Sequence, residues 1–144
     1  MARSFKSLLG DSSGSVAVEF ALIGPVLIGG MLAVLQFGLG MQNYNALRSI
    51  SADTARYAAV NLQKKSTIDN AAIKQFATTT AAAPPYGLNG NRLTVACTDD
   101  TTQNITGATR KTLTLDYKIP SMLAMFKINE IPLTYSRPII VINN

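Results

Sequence analysis

Between Val16 and Met41 the chain carries one ionisable residue, Glu19, and one other strongly polar residue, Gln36, in an otherwise apolar stretch. About 20 such residues suffice for an α-helix to cross the roughly 30 Å of hydrocarbon in a bilayer. This segment therefore constrains the architecture more than any other, predicting an N-terminal membrane helix with the rest of the chain on one side. A cleavable secretory signal has a shorter apolar region ending in a small-x-small site. Here the apolar run follows a polar-biased leader and continues too far, so it reads as a retained anchor. Arg3 and Lys6 precede it, opposed by Asp11, and the first charge after it is Arg48. The positive-inside rule then favours a cytoplasmic N-terminus.

Glu19 is out of place in such a helix, since a carboxylate in hydrocarbon costs roughly 3 kcal/mol unless it is paired or reaches water. One reading is an interfacial Glu in the first helical turns, favoured by the helix dipole and by water. The neighbouring residues support a sharper one. Ser13-Gly14-Ser15-Val16-Ala17-Val18-Glu19-Phe20-Ala21-Leu22 resembles the type IV prepilin processing site, at which a membrane aspartyl peptidase cuts after the Gly. The resemblance implies cleavage between Gly14 and Ser15, with Glu19 as the carboxylate five residues in and Phe20 following it. A free α-amino group on Ser15 would then lie about one helical turn from Glu19 and could neutralise it, in the same or a neighbouring subunit. Gly14, lacking a Cβ, is a position that a peptidase can bind in extended form.

The match extends further. Gly14 to Leu27, then Leu35-Gln36-Phe37-Gly38, then Ala55-Arg56-Tyr57-Ala58-Ala59, resemble the TadE-like family, the pseudopilins of tight-adherence (Flp-type) pili. Members of that family often carry an acidic residue where this chain has Gln36, so a second intramembrane ion pair is not expected here. The resemblance implies a leader at 1–14 that is cytoplasmic and cleaved, a transmembrane helix at 15–41 and an extracytoplasmic pilin-like domain at 42–144. It also implies a minor-pilin role in assembly and surface attachment. The expected partners are the prepilin peptidase, other pilus subunits, the inner-membrane assembly platform and membrane lipid. The chain is longer than the main Flp-type subunit, which is little more than a membrane helix in that family. The expected location is the inner membrane, single-pass with the C-terminal domain periplasmic, and the pilus or cell surface after assembly. The competing reading is an unprocessed bitopic accessory or receptor protein with a periplasmic binding domain.

Within the apolar run, Ala17, Ala21, Pro25, Gly29 and Ala33 recur every four residues. Small residues at that spacing let a second helix approach closely in lipid, although Gly and Ala are common in any membrane helix. Pro25 removes one backbone donor and is expected to kink or loosen the helix locally.

Gln42 to Lys65 contains neither Pro nor Gly, so the helix is expected to continue beyond the membrane, with Ala52, Ala55, Ala59 and Leu62 as a narrow apolar face and an Asp53–Arg56 pair beside it. Ser66 or Thr67 is the expected cap of a shorter helix ending near Thr78, with Ile68, Ala72, Ile73 and Phe76 on its buried stripe. Pro84-Pro85-Tyr86-Gly87 and Asn89-Gly90-Asn91 signal turns. From Arg92 the period becomes two: Leu93, Val95 and Cys97 share a face, and Leu113, Leu115, Tyr117 and Ile119 alternate with polar residues, as in half-buried antiparallel strands. Asp99 to Thr109 reads as a solvated polar loop, Met122 to Phe126 as an apolar segment tucked under the sheet, and Ile131 to Ile142 as a last strand bent or bulged near Pro138. The fold class is α+β: a long N-terminal transmembrane helix, a short helix and a small antiparallel sheet.

Composition narrows the chemistry. The chain has no His and one Cys, Cys97, which removes His-activated nucleophiles, internal disulfides and multi-cysteine zinc sites. Its formal charge of +5 is spread along the sequence and not gathered on one stretch, unlike a nucleic-acid footprint. Asp99-Asp100 lacks the spacing of a calcium loop. No enzymatic activity, cofactor, small-molecule substrate or nucleic acid is expected.

Overall fold

The computed structural model describes residues 12–63, 68–105, 108–123 and 127–142. Helix α1 (Ser12–Gln63) spans 52 residues, about 78 Å at 1.5 Å per residue. Helix α2 (Asn70–Ala82) follows, then a 3₁₀ turn at Gly90–Arg92. Three strands complete the chain: β1 (Leu93–Ile105), β2 (Ala108–Pro120) and β3 (Glu130–Ile142). They form an antiparallel sheet in the order β1-β2-β3. One face of the sheet receives both helices, α1 chiefly against β3 and α2 against β1. This is the expected α+β arrangement.

Alternation builds the sheet's inner face. Leu113, Leu115, Tyr117 and Ile119 of β2 are buried together with Cys97 of β1 and Ile139 and Val141 of β3. Leu115 sits in the middle, opposite Val95 on one side and Tyr135 on the other. The outer face carries Thr94, Thr98, Thr114, Thr134 and Ser136, with Thr114 bonded to Ser136 across the strands at 3.3 Å.

The outer half of α1 closes this core, but on a face rotated from the expected one. Leu47, Ile50, Ser51, Thr54 and Ala58 are buried, whereas Ala59 is exposed and Ala52 and Ala55 are only half-buried; the side chain of Leu62 lies outside the described residues. Two of the buried residues are polar. The Ser51 hydroxyl donates to the Arg48 carbonyl and that of Thr54 to the Ile50 carbonyl, so each hides its polarity against its own helix.

Helix α2 starts later and ends later than its sequence suggests. Asp69 is the N-cap, accepting from the Asn70 N–H at 2.6 Å, so neither Ser66 nor Thr67, which lie outside the described residues, caps the helix. Its carboxylate also suits the positive end of the helix dipole. The helix continues through Ala82 and buries Ile73, Ala77 and Ala81. It stops where Ala83, which precedes Pro84, turns extended, as the proline ring demands of the residue before it. The Leu88 N–H then satisfies the Ala81 carbonyl at 2.8 Å, by way of a turn in which Gly87 has φ +59, a conformation that glycine adopts without steric cost.

The polar segment from Asp99 is a strand, not a loop. β1 and β2 keep one-to-one register through Asp99↔Lys111 and Asp100↔Arg110, and register shifts only between Asp100 and Ile105. Opposite charges facing each other across the ladder favour pairing. β3 likewise runs in unbroken register with β2 past Pro138, so the expected bulge is absent there. Pro132 and Pro138 share the same parity, which puts both missing N–H groups on the same side of the strand. β3 is an edge strand, the position in a sheet where proline is tolerated and where it discourages pairing with another chain.

A polar cluster ties α2 to the sheet. The largely buried Lys111 donates to Asp99 Oδ1 at 2.6 Å and to Asn70 Oδ1 at 2.7 Å, and Asn70 Nδ2 donates to Asp99 at 3.3 Å. Hydrogen bonds from Lys111 and then from Asn70 hold the Asp99 carboxyl below its usual range. A depressed folded-state pKa stabilises the fold above the ordinary carboxylate value of about 4 and loses that contribution as pH falls through the lower folded value. Asp99→Asn should therefore be less stable than wild type near neutrality, with the difference shrinking below about pH 4. Urea unfolding across that range is the check, and parallel stability curves for the two proteins would contradict the role given to Asp99.

Candidate functional site

The inner half of α1 contacts no other element over its most apolar window, none of which is buried. Phe20, Leu22, Val26, Met31 and Val34 are each more than two-thirds exposed, and consecutive apolar pairs such as Leu22-Ile23 and Val26-Leu27 point to every side of the helix. A helix apolar all round needs an apolar medium or other helices to cover it. The structure thus contains one helix long and apolar enough to cross a membrane among the described residues.

At the head of this helix, Gly14 and Ser15 lie in the first turn. The expected scissile bond is thus helical in the free chain, not extended. Gly weakens a helix, so unwinding at Gly14 costs less than at an ordinary helical residue. A Cβ added at Gly14 would meet nothing within 4 Å. Glu19 and Phe20 are exposed, and the four-residue offset places Glu19 on the same helical face as Ser15. Ala17, Ala21, Pro25 and Ala33 are exposed and Gly29 is half-buried. The small-residue series is not a straight stripe: a four-residue step advances about 40° around the helix, so five positions wind through about 160°. The helix continues through Pro25, which leaves the Ala21 carbonyl without its usual donor.

Gln36 has a role that its sequence neighbourhood does not announce. It is 4% exposed, and its side chain clasps the connection between β2 and β3. Oε1 accepts from the Met122 N–H at 2.8 Å, and Nε2 donates to the Pro120 carbonyl at a longer 3.4 Å. The residues that meet are more than eighty positions apart, so no local signal could have revealed the contact. A neutral amide suits this place, because an ionised carboxylate would accept from Met122 but could not donate to Pro120. That accounts physically for a Gln where an acidic residue was the family expectation. The β2–β3 connection thus meets α1 at a residue of the 15–41 segment. Met122 is 47% exposed and so is not tucked under the sheet; residues 124–126 lie outside the described residues.

Further out, Tyr86 donates to Asp53 Oδ2 at 2.8 Å, so Asp53 anchors the loop after α2. The expected pair with Arg56, which is exposed, is not among the ion pairs of the described residues. The bond to Asp53, and secondarily burial, pushes the Tyr86 phenol above its usual pKa. Tyr57 stacks on Phe76, with ring centroids 4.0 Å apart, and couples the two helices. Cys97 is buried, and burial is the main cause of its raised pKa, consistent with a packing role and not a reactive thiolate.

Residues 14–56 match the family model described as TadE-like protein, the family that the sequence resembles. The match covers the membrane half of α1 and most of its outer half, and ends before α2 and the sheet. No curated protein and no solved structure matches the chain.

Gln36→Leu leaves the Met122 N–H and the Pro120 carbonyl without partners and should destabilise the outer domain by about 1–3 kcal/mol. Hydrogen exchange should quicken first at Ser121 to Leu123. Exchange there at the wild-type rate would show that the clasp is dispensable.

Proposed function

We propose that this chain, whose residues 14–56 carry the TadE-like match, is a minor pilin or pseudopilin of a tight-adherence (Flp-type) pilus. The family points to a Tad pilus-related role for a structural component. The finer reading is cleavage after Gly14 by a prepilin peptidase, followed by lateral assembly through the exposed membrane half of α1, in pilus assembly and surface attachment. The observation that carries it is a single continuous helix, apolar on all sides at one end and packed into a folded domain at the other, with Glu19 one turn from Ser15.

Physical chemistry supports each step. Cutting the Gly14–Ser15 bond creates an α-amino group at the helix head. Glu19 is then the only acidic or basic residue between that amine and Arg48, and an unpaired carboxylate in lipid is costly. Pairing with the amine of the same or a neighbouring subunit removes that cost and sets an axial register between subunits. Ala17, Ala21, Pro25, Gly29 and Ala33 offer small surfaces for close approach, while Phe20 follows the carboxylate as a bulky apolar contact. Other pilus subunits and the inner-membrane assembly platform are the partners proposed. The outer domain would face the periplasm, and the cell surface once assembled.

Intact-mass analysis of membrane-extracted protein from cells with an active prepilin peptidase should give a mature chain beginning at Ser15, and full-length protein when Gly14 is made bulky. In those cells Glu19→Ala should retain insertion and much of the processing while losing co-purification with other pilus subunits. Retention of Met1 or Ala2 in the native protein would favour the unprocessed bitopic accessory protein instead. Equal recovery of partners with Glu19→Ala would return Glu19 to a plain interfacial role.

A further inference from the structure

The Gln36 clasp fixes the height of the outer domain relative to the membrane. From Ser15 to Leu35 the helix rises about 32 Å, close to the thickness of a bilayer's hydrocarbon, and its large apolar side chains are exposed apart from the half-buried Leu32. Gln36 is the next residue. The β2–β3 connection bonded to it therefore stands at the level where hydrocarbon gives way to headgroups.

That connection is closed at its base by the Ser121 N–H donating to the Asn129 carbonyl at 3.1 Å. Beyond the base, Met122 is 47% and Ile128 44% exposed. The positive groups at this end are the exposed Lys127 and Lys118, the latter 3.6 Å from Glu130. Beside the connection lies a cavity of about 520 Å³ lined by Ala33, Phe37, Met41, Leu123, Ile131 and neighbours. Its wall is almost wholly apolar and includes residues of the membrane helix itself, so the apolar surface of α1 continues without a break onto the sheet end. In water this surface would be an unfavourable exposed patch. At the lipid boundary it is matched: apolar side chains meet acyl chains, and ammonium groups meet phosphates.

We propose that Met122 and Ile128 make a second membrane contact at the headgroup–acyl boundary, with acyl chains of the same bilayer entering the groove beside Leu123. This rests on reading α1 as membrane-spanning. A helix alone leaves the domain free to rotate and tilt about its axis. A second contact beside the helix fixes which side of the domain faces the membrane and how far the sheet stands from it.

The test uses the full-length chain with Cys97→Ala, carrying an environment-sensitive fluorophore on one introduced cysteine at a time. The protein is reconstituted in phosphatidylcholine–phosphatidylglycerol vesicles containing lipids spin-labelled near the headgroup or near the acyl terminus. Leu27→Cys reports insertion of the helix. Thr98→Cys, exposed and about 26 Å along the strands from Pro120, reports water. Met122→Cys and Ile128→Cys should each be blue-shifted and quenched several-fold more than Thr98→Cys by the shallow spin label, and less than Leu27→Cys by the deep one. Met122→Cys and Ile128→Cys matching Thr98→Cys while Leu27→Cys is deeply quenched would overturn the second contact alone. An unquenched Leu27→Cys would remove the membrane-spanning reading and the proposal with it.

Discussion

The face of α1 formed by Leu47, Ile50, Ser51, Thr54 and Ala58 is the constraint on which the rest of the structure depends. A three-stranded sheet with one apolar side has no independent stability in water until that side is covered. Here the cover is the continuation of the apolar N-terminal helix, aided by the short α2. Leu47, Ile50 and Ala58 share one core with Leu113, Leu115 and Ile139, and the hydroxyls of Ser51 and Thr54 are bonded to the helix's own carbonyls. Because one helix supplies both the exposed apolar segment and part of the core, the folded domain follows that segment with no intervening loop.

Gln36 is where those two uses of the helix meet. On the N-terminal side of it the apolar surface is largely exposed; on the other, Phe37 and Met41 are still exposed and the face buried against the domain begins at Leu47. Its amide satisfies a donor and an acceptor of the β2–β3 connection at once, which neither a carboxylate nor an aliphatic side chain can do. The neutral side chain also avoids placing a second charge beside the hydrocarbon. Glu19 at the far end of the apolar run is therefore the remaining ionisable group in the segment, and no ion pair to it is found among the described residues.

The parts legible in the sequence were those with clean local periodicity. Leu113, Leu115, Tyr117 and Ile119 alternate with polar neighbours and were readable as a buried strand face. The length of the apolar run and the absence of helix breakers after it foretold the long helix. The face of α1 was misread because polarity is a poor guide where hydroxyls fold back on the backbone: Ser51 and Thr54 are buried while the apolar Ala59 is exposed. The Asp99–Thr109 stretch looked solvated because its charges were read singly, although across the ladder Asp99 meets Lys111 and Asp100 meets Arg110. Of the candidate site, Gly14, Glu19 and Phe20 are a local pattern and could be found by reading along the chain. The Gln36 clasp is a tertiary contact and could not. What Glu19 pairs with depends on molecules outside the chain, so neither the sequence nor the single fold specifies it.

Hydrogen exchange on the full-length chain in lipid vesicles tests most directly whether the outer half of α1 and the sheet are one cooperative unit. Amides from Leu47 to Ala58 and from Leu113 to Ile119 should be the slowest outside the membrane and should quicken together, with a common dependence on denaturant, because neither element is stable without the other. A helix segment that stays protected while the sheet exchanges freely, or a sheet that stays protected after the helix has opened, would contradict a domain built on the continuation of the membrane helix.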